Sequence, residues 1–203
     1  NPPENYCYVL YDANGGTTSP RSQGYDSKLT ATPFPVPTRS GYTFKGWATS
    51  SSATSATYQP GGSFASNAAT TLYAVWQANT YTVRYNANGG SGSMSNSTHT
   101  YDVSKALSSN GFSRSGYTFL GWATSSSATT ATYTNGQSVK NLTSTNGATV
   151  DLYAVSSESE LFEKFNSSAT IGSLDKEAFE AGDEVLVFIP LYKDNGKNKN
   201  FSE

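Results

Sequence analysis

Short runs in which apolar and polar residues alternate predict β-strands along the first three quarters of the chain. Residues 80–85 read Thr-Tyr-Thr-Val-Arg-Tyr, so aromatic and β-branched side chains fall on one face. A second strand is predicted over residues 72–76, Leu-Tyr-Ala-Val-Trp, with Leu72, Ala74 and Trp76 on one side and the two residues between them on the other. This pattern indicates small, half-buried sheets.

Asn-Gly-Gly turns follow the opening strand in two places, at residues 14–16 and 88–90. Glycine accepts positive φ without steric cost and asparagine accepts it at little cost, which suits a tight chain reversal. We therefore expect a structural role for the four turn glycines, Gly15, Gly16, Gly89 and Gly90.

An aromatic block, Gly-Tyr-Thr-Phe-x-Gly-Trp, also occurs twice. It places aromatic bulk around two glycines, where a missing side chain allows close backbone approach. We interpret the block as the core signature of a small domain. Its residues are Gly41, Tyr42, Phe44, Gly46 and Trp47, and then Gly116, Tyr117, Phe119, Gly121 and Trp122.

These patterns belong to a tandem repeat. Residues 39–58 return 75 positions later as residues 114–133, with eighteen of twenty positions identical. The offset is 74 at the Gly-Gly turn and 80 at the closing strand, so the second copy carries short insertions, which we assign to loops. We predict domains at residues 1–78 and 79–156, followed by a third segment at 157–203.

A unit of about 70 to 76 residues is long enough to have its own core. The predicted fold class is mainly β or α+β, with at most one short helix in each repeat. Repeated modules usually serve reach, valency or display, whereas a catalytic centre is ordinarily built once from unlike residues. The repeat therefore argues against an enzyme.

The charge balance separates the end of the chain from the repeats. Residues 1–155 carry eight Lys or Arg and five Asp or Glu, whereas residues 156–203 carry five and ten. The net charge is −2, and nucleic-acid binding needs clustered Lys and Arg, so we expect no nucleic-acid partner. No run of about eighteen apolar residues occurs, so direct membrane insertion is not expected.

The residue types that carry chemistry are sparse. The single cysteine, Cys7, is interpreted as a small buried residue, and the single histidine, His99, lies in a polar run with no counterpart in the first copy. The glycines at 89–92 lack the lysine of a phosphate-binding loop. We predict no catalytic residue, no cofactor and no metal site.

Together the strand, the turn, the aromatic block and the closing Leu-Tyr-Ala-Val-Trp resemble the Listeria-Bacteroides repeat, also called the internalin B-type B repeat. The resemblance covers about three quarters of the chain. It implies a small β-grasp-like fold found in tandem in secreted and surface-anchored bacterial proteins, as spacers or adhesive modules without catalytic activity. The second copy departs from the family pattern at Ser156, where the first has Trp76, and in the long loop 135–151.

Beyond Ser156 we predict one or two helical turns over residues 158–165 and a strand within residues 179–192. Residues 181–190 resemble the opening strand of a cohesin-like bacterial β-sandwich. Such a strand would dock on the repeats, pair with another chain, remain partly disordered, or begin a larger domain. We expect the chain to be an excised part of a larger polypeptide that carries the targeting signals.

Three functions are consistent with these patterns and stand as hypotheses. The first is an extracellular, cell-surface spacer or display stalk that presents neighbouring domains, with adhesion to a host or cell-surface protein; the short linker 77–80 predicts a fairly rigid pair. The second is a glycan-binding module, in which Tyr58 and Tyr133, after the Ser/Thr/Ala-rich run 48–57 and its copy, stack on sugar rings. The third is a fragment of a scaffold or surface enzyme.

Overall fold

A computed structural model describes residues 6–19, 22–26, 34–60, 62 and 68–159, and this part contains ten strands and no helix. In chain order the strands are β1 (Tyr6–Asp12), β2 (Ser22–Asp26), β3 (Tyr42–Ala48), β4 (Thr70–Ala78), β5 (Thr80–Asn86), β6 (Ser97–Thr100), β7 (Lys105–Ala106), β8 (Tyr117–Ala123), β9 (Ser138–Val139) and β10 (Thr149–Glu158). The prediction of a mainly β chain is confirmed.

Each repeat forms one four-stranded sheet. The first has the order β2-β1-β4-β3 and the second the order β6-β5-β10-β8, while β7 and β9 form a small separate pair. In both sheets the two central strands run parallel and the outer strands run antiparallel to their neighbours. This mixed sheet agrees with the β-grasp-like expectation. In the second repeat the crossover between β6 and β8 contains the short strand β7 and no helix.

A β-bulge interrupts the pairing of β3 with β4 between Phe44 and Gly46. Gly46 has φ of 127°, and a side chain there would collide with the carbonyl oxygen of Tyr58. The close approach lets the N–H of Trp47 donate to the Tyr58 oxygen at 2.8 Å, and the N–H of Tyr58 return a bond to the Trp47 oxygen at 2.9 Å. Glycine is required here because no other residue leaves room for this backbone pair.

The second repeat copies this arrangement. Gly121 has φ of 147°, and Trp122 and Tyr133 exchange backbone hydrogen bonds of 2.8 and 2.9 Å. Trp47 and Trp122 are both 0% exposed and lie at the centres of two separate cores. The first core consists of Val9, Tyr11, Phe34, Trp47, Leu72 and Ala74; the second consists of Tyr81, Val83, Tyr85, Leu107, Trp122, Val139, Leu152 and Ala154.

The alternation predicted for residues 72–76 holds on the side of β4 that faces the core. Leu72 and Ala74 are buried as expected, but Val75 is buried too, and Trp76 is only half-buried. Leu72 and Ala74 belong to the first core and Trp76 packs against it, whereas Val75 is buried outside that cluster.

Several predictions fall wholly or largely outside the described residues. Cys7 lies in β1 opposite Tyr25, but the burial predicted for its side chain is outside what the structure describes. Glu158 is the last residue of β10, not the start of a helix, because the closing strand is longer than the sequence pattern indicated. The rest of the predicted helix, the strand within 179–192 and the cohesin-like resemblance lie beyond residue 159.

Candidate functional site

The two sheets are joined through a single residue. Strand β4 ends at Ala78 and β5 begins at Thr80, so Asn79 alone lies between them, and it is 8% exposed. Its N–H donates to the Gly41 oxygen at 2.9 Å, and its own carbonyl accepts from the N–H of Tyr101 at 2.8 Å. The backbone of Asn79 therefore forms one hydrogen bond with each repeat.

The Asn79 side chain also forms one hydrogen bond with each repeat. Its Oδ1 accepts from the Thr43 hydroxyl of the first repeat at 2.6 Å, and its Nδ2 donates to the Ser144 carbonyl of the second at 2.8 Å. A buried amide loses its hydrogen bonds with water, so these partners are needed to offset the cost of burial. An asparagine with bonds to both sides restricts rotation of one repeat against the other.

A second set of contacts crosses the junction beside Asn79. Tyr42 donates its hydroxyl hydrogen to Oδ2 of Asp102 at 2.8 Å, and its ring meets the Tyr101 ring edge-on with centroids 5.9 Å apart. Gly41, which precedes Tyr42, has φ of 77°, and a side chain there would collide with the Tyr101 ring. The sequence signature Gly-Tyr thus forms part of the contact between repeats.

Asp102 is held in position by the second repeat. Its N–H donates to Asn141 Oδ1 at 2.6 Å, and its carboxylate accepts from Asn141 Nδ2 at 2.8 Å. The Lys140 ammonium lies 3.6 Å from the same carboxylate. These contacts present the other carboxylate oxygen to the Tyr42 hydroxyl in a fixed direction.

The electrostatics agree with this geometry. The hydrogen bond from Asn141, followed by that from Tyr42, lowers the pKa of Asp102. The bond to Asp102 raises the pKa of Tyr42, and burial raises it further. The pair is therefore a protonated phenol and an ionised carboxylate at neutral pH, which is the donor–acceptor arrangement that the contact needs.

We refer to Gly41, Tyr42, Thr43, Asn79, Tyr101, Asp102, Asn141 and Ser144 as the junction cluster. Sequence reasoning marked Gly41 and Tyr42 as signature residues, included Asn79 only as part of the short linker 77–80, and treated the loop 135–151 as a departure without a role. The structure shows that this loop supplies Asn141 and Ser144. The sequence did contain a signal for this loop, because the offset between the two copies rises from 75 at the aromatic block to 80 at the closing strand.

The other signature residues lie at turns and in the cores. Asn14 and Asn88 have φ of 47° and 46°, and each side chain reaches across to close its turn against the sheet. Asn14 Nδ2 donates to the oxygens of Ser51 and Ala74, while Asn88 Nδ2 donates to those of Ser126 and Ala154. The turns are thus fastened in the same way in both repeats.

The predicted ligand residues Tyr58 and Tyr133 occupy equivalent positions, one in each repeat. Both are half-buried and pack against the cores, and the ring of Tyr58 meets that of Phe34 at 6.2 Å. Each therefore has a structural function besides the surface it exposes. Within the described ranges, no group of three His, Cys, Asp or Glu side chains is placed to hold a metal ion.

Comparison with known proteins identifies the repeats. A family model described as the Listeria-Bacteroides repeat domain matches residues 8–75 and residues 81–155. The chain belongs to the Listeria-Bacteroides repeat family. This family is typical of bacterial surface proteins, so the repeats are bacterial surface-protein modules.

A much longer relative is a protein of Evansella cellulosilytica described as a Gly-rich membrane protein, which is 37% identical over 68 residues. That match covers 33% of this chain and only 8% of the relative. No solved structure shows a significant match. In the part of this chain that the structure describes, no helix is long and apolar enough to cross a membrane.

Proposed function

We propose that this repeat pair acts as a non-catalytic spacer in an extracellular bacterial surface protein, where it holds neighbouring domains at a defined distance and direction. The observation that carries the proposal is the one-residue link at Asn79, with backbone and side chain bonded to both repeats. A spacer needs little reactive chemistry and needs a junction that resists bending.

The length of the link matters as much as its contacts. Flexible linkers let the ends of a chain sample a distance range that grows with the square root of their length. A single residue with fixed hydrogen bonds removes almost all of that range. The effective concentration of a presented domain near its target then depends on the geometry of the repeats.

A distance measurement between the repeats tests the proposal. Spin labels are attached to Ser55→Cys and Thr130→Cys in the full chain with Cys7→Ser, because positions 55 and 130 are exposed in equivalent loops. Pulsed electron resonance is expected to give one narrow distance distribution. A broad distribution in the otherwise unmodified chain would contradict a rigid spacer.

The matched control is an insertion. Gly-Ser-Gly-Ser placed after Asn79 should broaden the distribution, whereas the same four residues placed after Ser95, in the exposed loop before β6, should leave it narrow. Equal broadening from both insertions would show that the distance reports loop disorder and not the junction.

Glycan recognition is the second candidate, favoured by the equivalent placement of Tyr58 and Tyr133, each partly exposed, in the two repeats. Two equivalent rings would supply two weak sites and so gain in avidity. The test is a screen of the chain against polysaccharides, host glycans and matrix proteins. Tyr58→Ala and Tyr133→Ala should each abolish one site, and thermal melts must show that the variants remain folded.

A further inference from the structure

The indole of Trp76 fills a space at the end of the first sheet. Its Nε1–H donates to the Ala13 carbonyl at 2.9 Å, and its ring lies 5.5 Å from that of Phe44. A side chain on Gly16 would come within 2.6 Å of the Trp76 ring. The site is therefore a slot for one bicyclic aromatic group, closed by one hydrogen-bond acceptor.

The second repeat contains the same slot without the indole. Ser156 stands where the first repeat has Trp76, and the space beside it is a cavity of about 260 Å³. The residues that line it include Ala87, Gly90 and Phe119, which are the counterparts of the three residues that contact the Trp76 ring. We call this space the Ser156 pocket.

The walls of the Ser156 pocket are preformed. Arg114 stacks on Tyr117 at 3.6 Å, as Arg39 stacks on Tyr42 at 3.8 Å in the first repeat. Phe112 adds an aromatic wall, and its ring meets that of Trp122 at 6.1 Å. The serine at this position therefore leaves a lined space beside an intact sheet.

The size of the pocket selects a single ring system. An enclosed apolar cavity of about 150 Å³ binds benzene, and pockets for drug-sized molecules begin near 300 Å³. The Ser156 pocket is open to solvent on one side, and its lining also includes the polar residues Asn110, Ser113 and Arg114. A volume of about 260 Å³ therefore suits one aromatic side chain. The first repeat shows which one, because the homologous space holds an indole.

We propose that the Ser156 pocket binds the indole of a tryptophan side chain presented by a partner polypeptide, with the indole N–H donated to the Ala87 carbonyl. The chain has three tryptophans, of which Trp47 and Trp122 are 0% exposed and Trp76 is packed in its own repeat. The indole must therefore come from outside this chain. Burial of an aromatic side chain in a fitted slot is the usual anchor of a protein interface.

The first experiment titrates indole and N-acetyltryptophanamide into the full chain and follows amide shifts by NMR. Both should bind in the second repeat and shift the amides of Gly90 and Phe119. 1-Methylindole, which lacks the N–H, should bind about 2- to 10-fold more weakly, which is the range expected for one net hydrogen bond. If indole binds but N-acetyltryptophanamide does not, the proposal of a polypeptide ligand is wrong.

Reciprocal substitutions at the two equivalent positions, 76 and 156, supply matched variants. Ser156→Trp should fill the pocket with the chain's own indole and abolish the binding of both probes. Trp76→Ser should open a second pocket in the first repeat, lower its melting temperature and let added indole raise that temperature again. Unchanged indole binding in Ser156→Trp would overturn the proposal even if Trp76→Ser fails to fold.

A sugar provides the competing outcome. Methyl glucoside that displaces N-acetyltryptophanamide from the pocket would assign the site to glycans and contradict the indole proposal. The distance between spin labels on the two repeats should not change with any probe, so the spacer function and the pocket can fail independently.

Discussion

Tyr42 donates its hydroxyl hydrogen to Asp102 across the junction between the repeats, at 2.8 Å. The equivalent tyrosine of the second repeat, Tyr117, instead bonds Glu158 Oε1 at 3.0 Å, within its own sheet. The same tyrosine of the repeated motif thus bonds across the junction in the first copy and within its own sheet in the second. In the first copy the closing strand leads directly into the second repeat, which supplies the carboxylate partner.

Replacement of Tyr42 by Phe should loosen the junction. The variant keeps the ring contact with Tyr101 but loses the bond to Asp102, so the inter-repeat distance distribution should widen while both repeats stay folded. Tyr117→Phe is the control, since it removes a hydroxyl from the same motif away from the junction. Equal widening in the two variants would contradict a specific role for Tyr42.

Asn79→Ala should cost about 1–3 kcal/mol of stability, because it removes two side-chain hydrogen bonds, the one from the Thr43 hydroxyl and the one to the Ser144 carbonyl. Urea unfolding measures the change. Thr43→Val is the control, since it removes only one of the two side-chain bonds of Asn79 and should cost less. A loss as large as that of Asn79→Ala would show that the bond to Ser144 contributes nothing.

Gly46→Ala should destabilise the first repeat by at least about 2 kcal/mol, because the new methyl group meets the Tyr58 carbonyl at a φ of 127°. Gly147→Ala separates the cost of the steric collision from the cost of the positive φ. Gly147 has φ of 73° but no atom within 4 Å of the added carbon, so only the backbone cost of about 1–2 kcal/mol should appear. Thermal melts of both variants decide whether the close approach matters.

Stability of the second repeat should fall under mild acid because of His99. The residue is 0% exposed, stacks on Tyr81 at 5.5 Å and has Ser97 as the hydroxyl partner of its Nε2 at 3.0 Å. Burial, and then the charge of Lys105, lowers the pKa of His99. The unfolded chain takes up the proton first, so the contribution of a neutral His99 is complete above about pH 6.5 and is lost as the pH falls below it.

The measurement is the melting temperature in steps from pH 7.5 to pH 5, with His99→Gln as the variant that cannot titrate there. The wild-type curve should fall more steeply than the curve of the variant, and only the second repeat should be affected, since the first has no histidine. Parallel curves would show that His99 does not control the acid sensitivity.

Much of the fold was predictable from local patterns. The alternation in residues 80–85, the Asn-Gly-Gly turns and the duplicated aromatic block indicated two small β-domains with aromatic cores, and Trp47 and Trp122 lie at the centres of those cores. Prediction failed at Glu158, where the strand continues past the repeated pattern, and it did not include the bulge between Phe44 and Gly46. Bulges and strand ends depend on the partner strand.

The sequence by itself determined the repeat, its strands and its family, because these depend on short-range periodicity and on residues that recur at fixed spacing. Only the tertiary structure decided the junction and the pocket. Tyr42 and Asp102 are 60 residues apart, and Asn79 and Ser144 are 65 apart, so no local pattern connects them. The substitution at Ser156 was visible in the sequence, but a missing side chain becomes a binding space only where rigid neighbours keep it open.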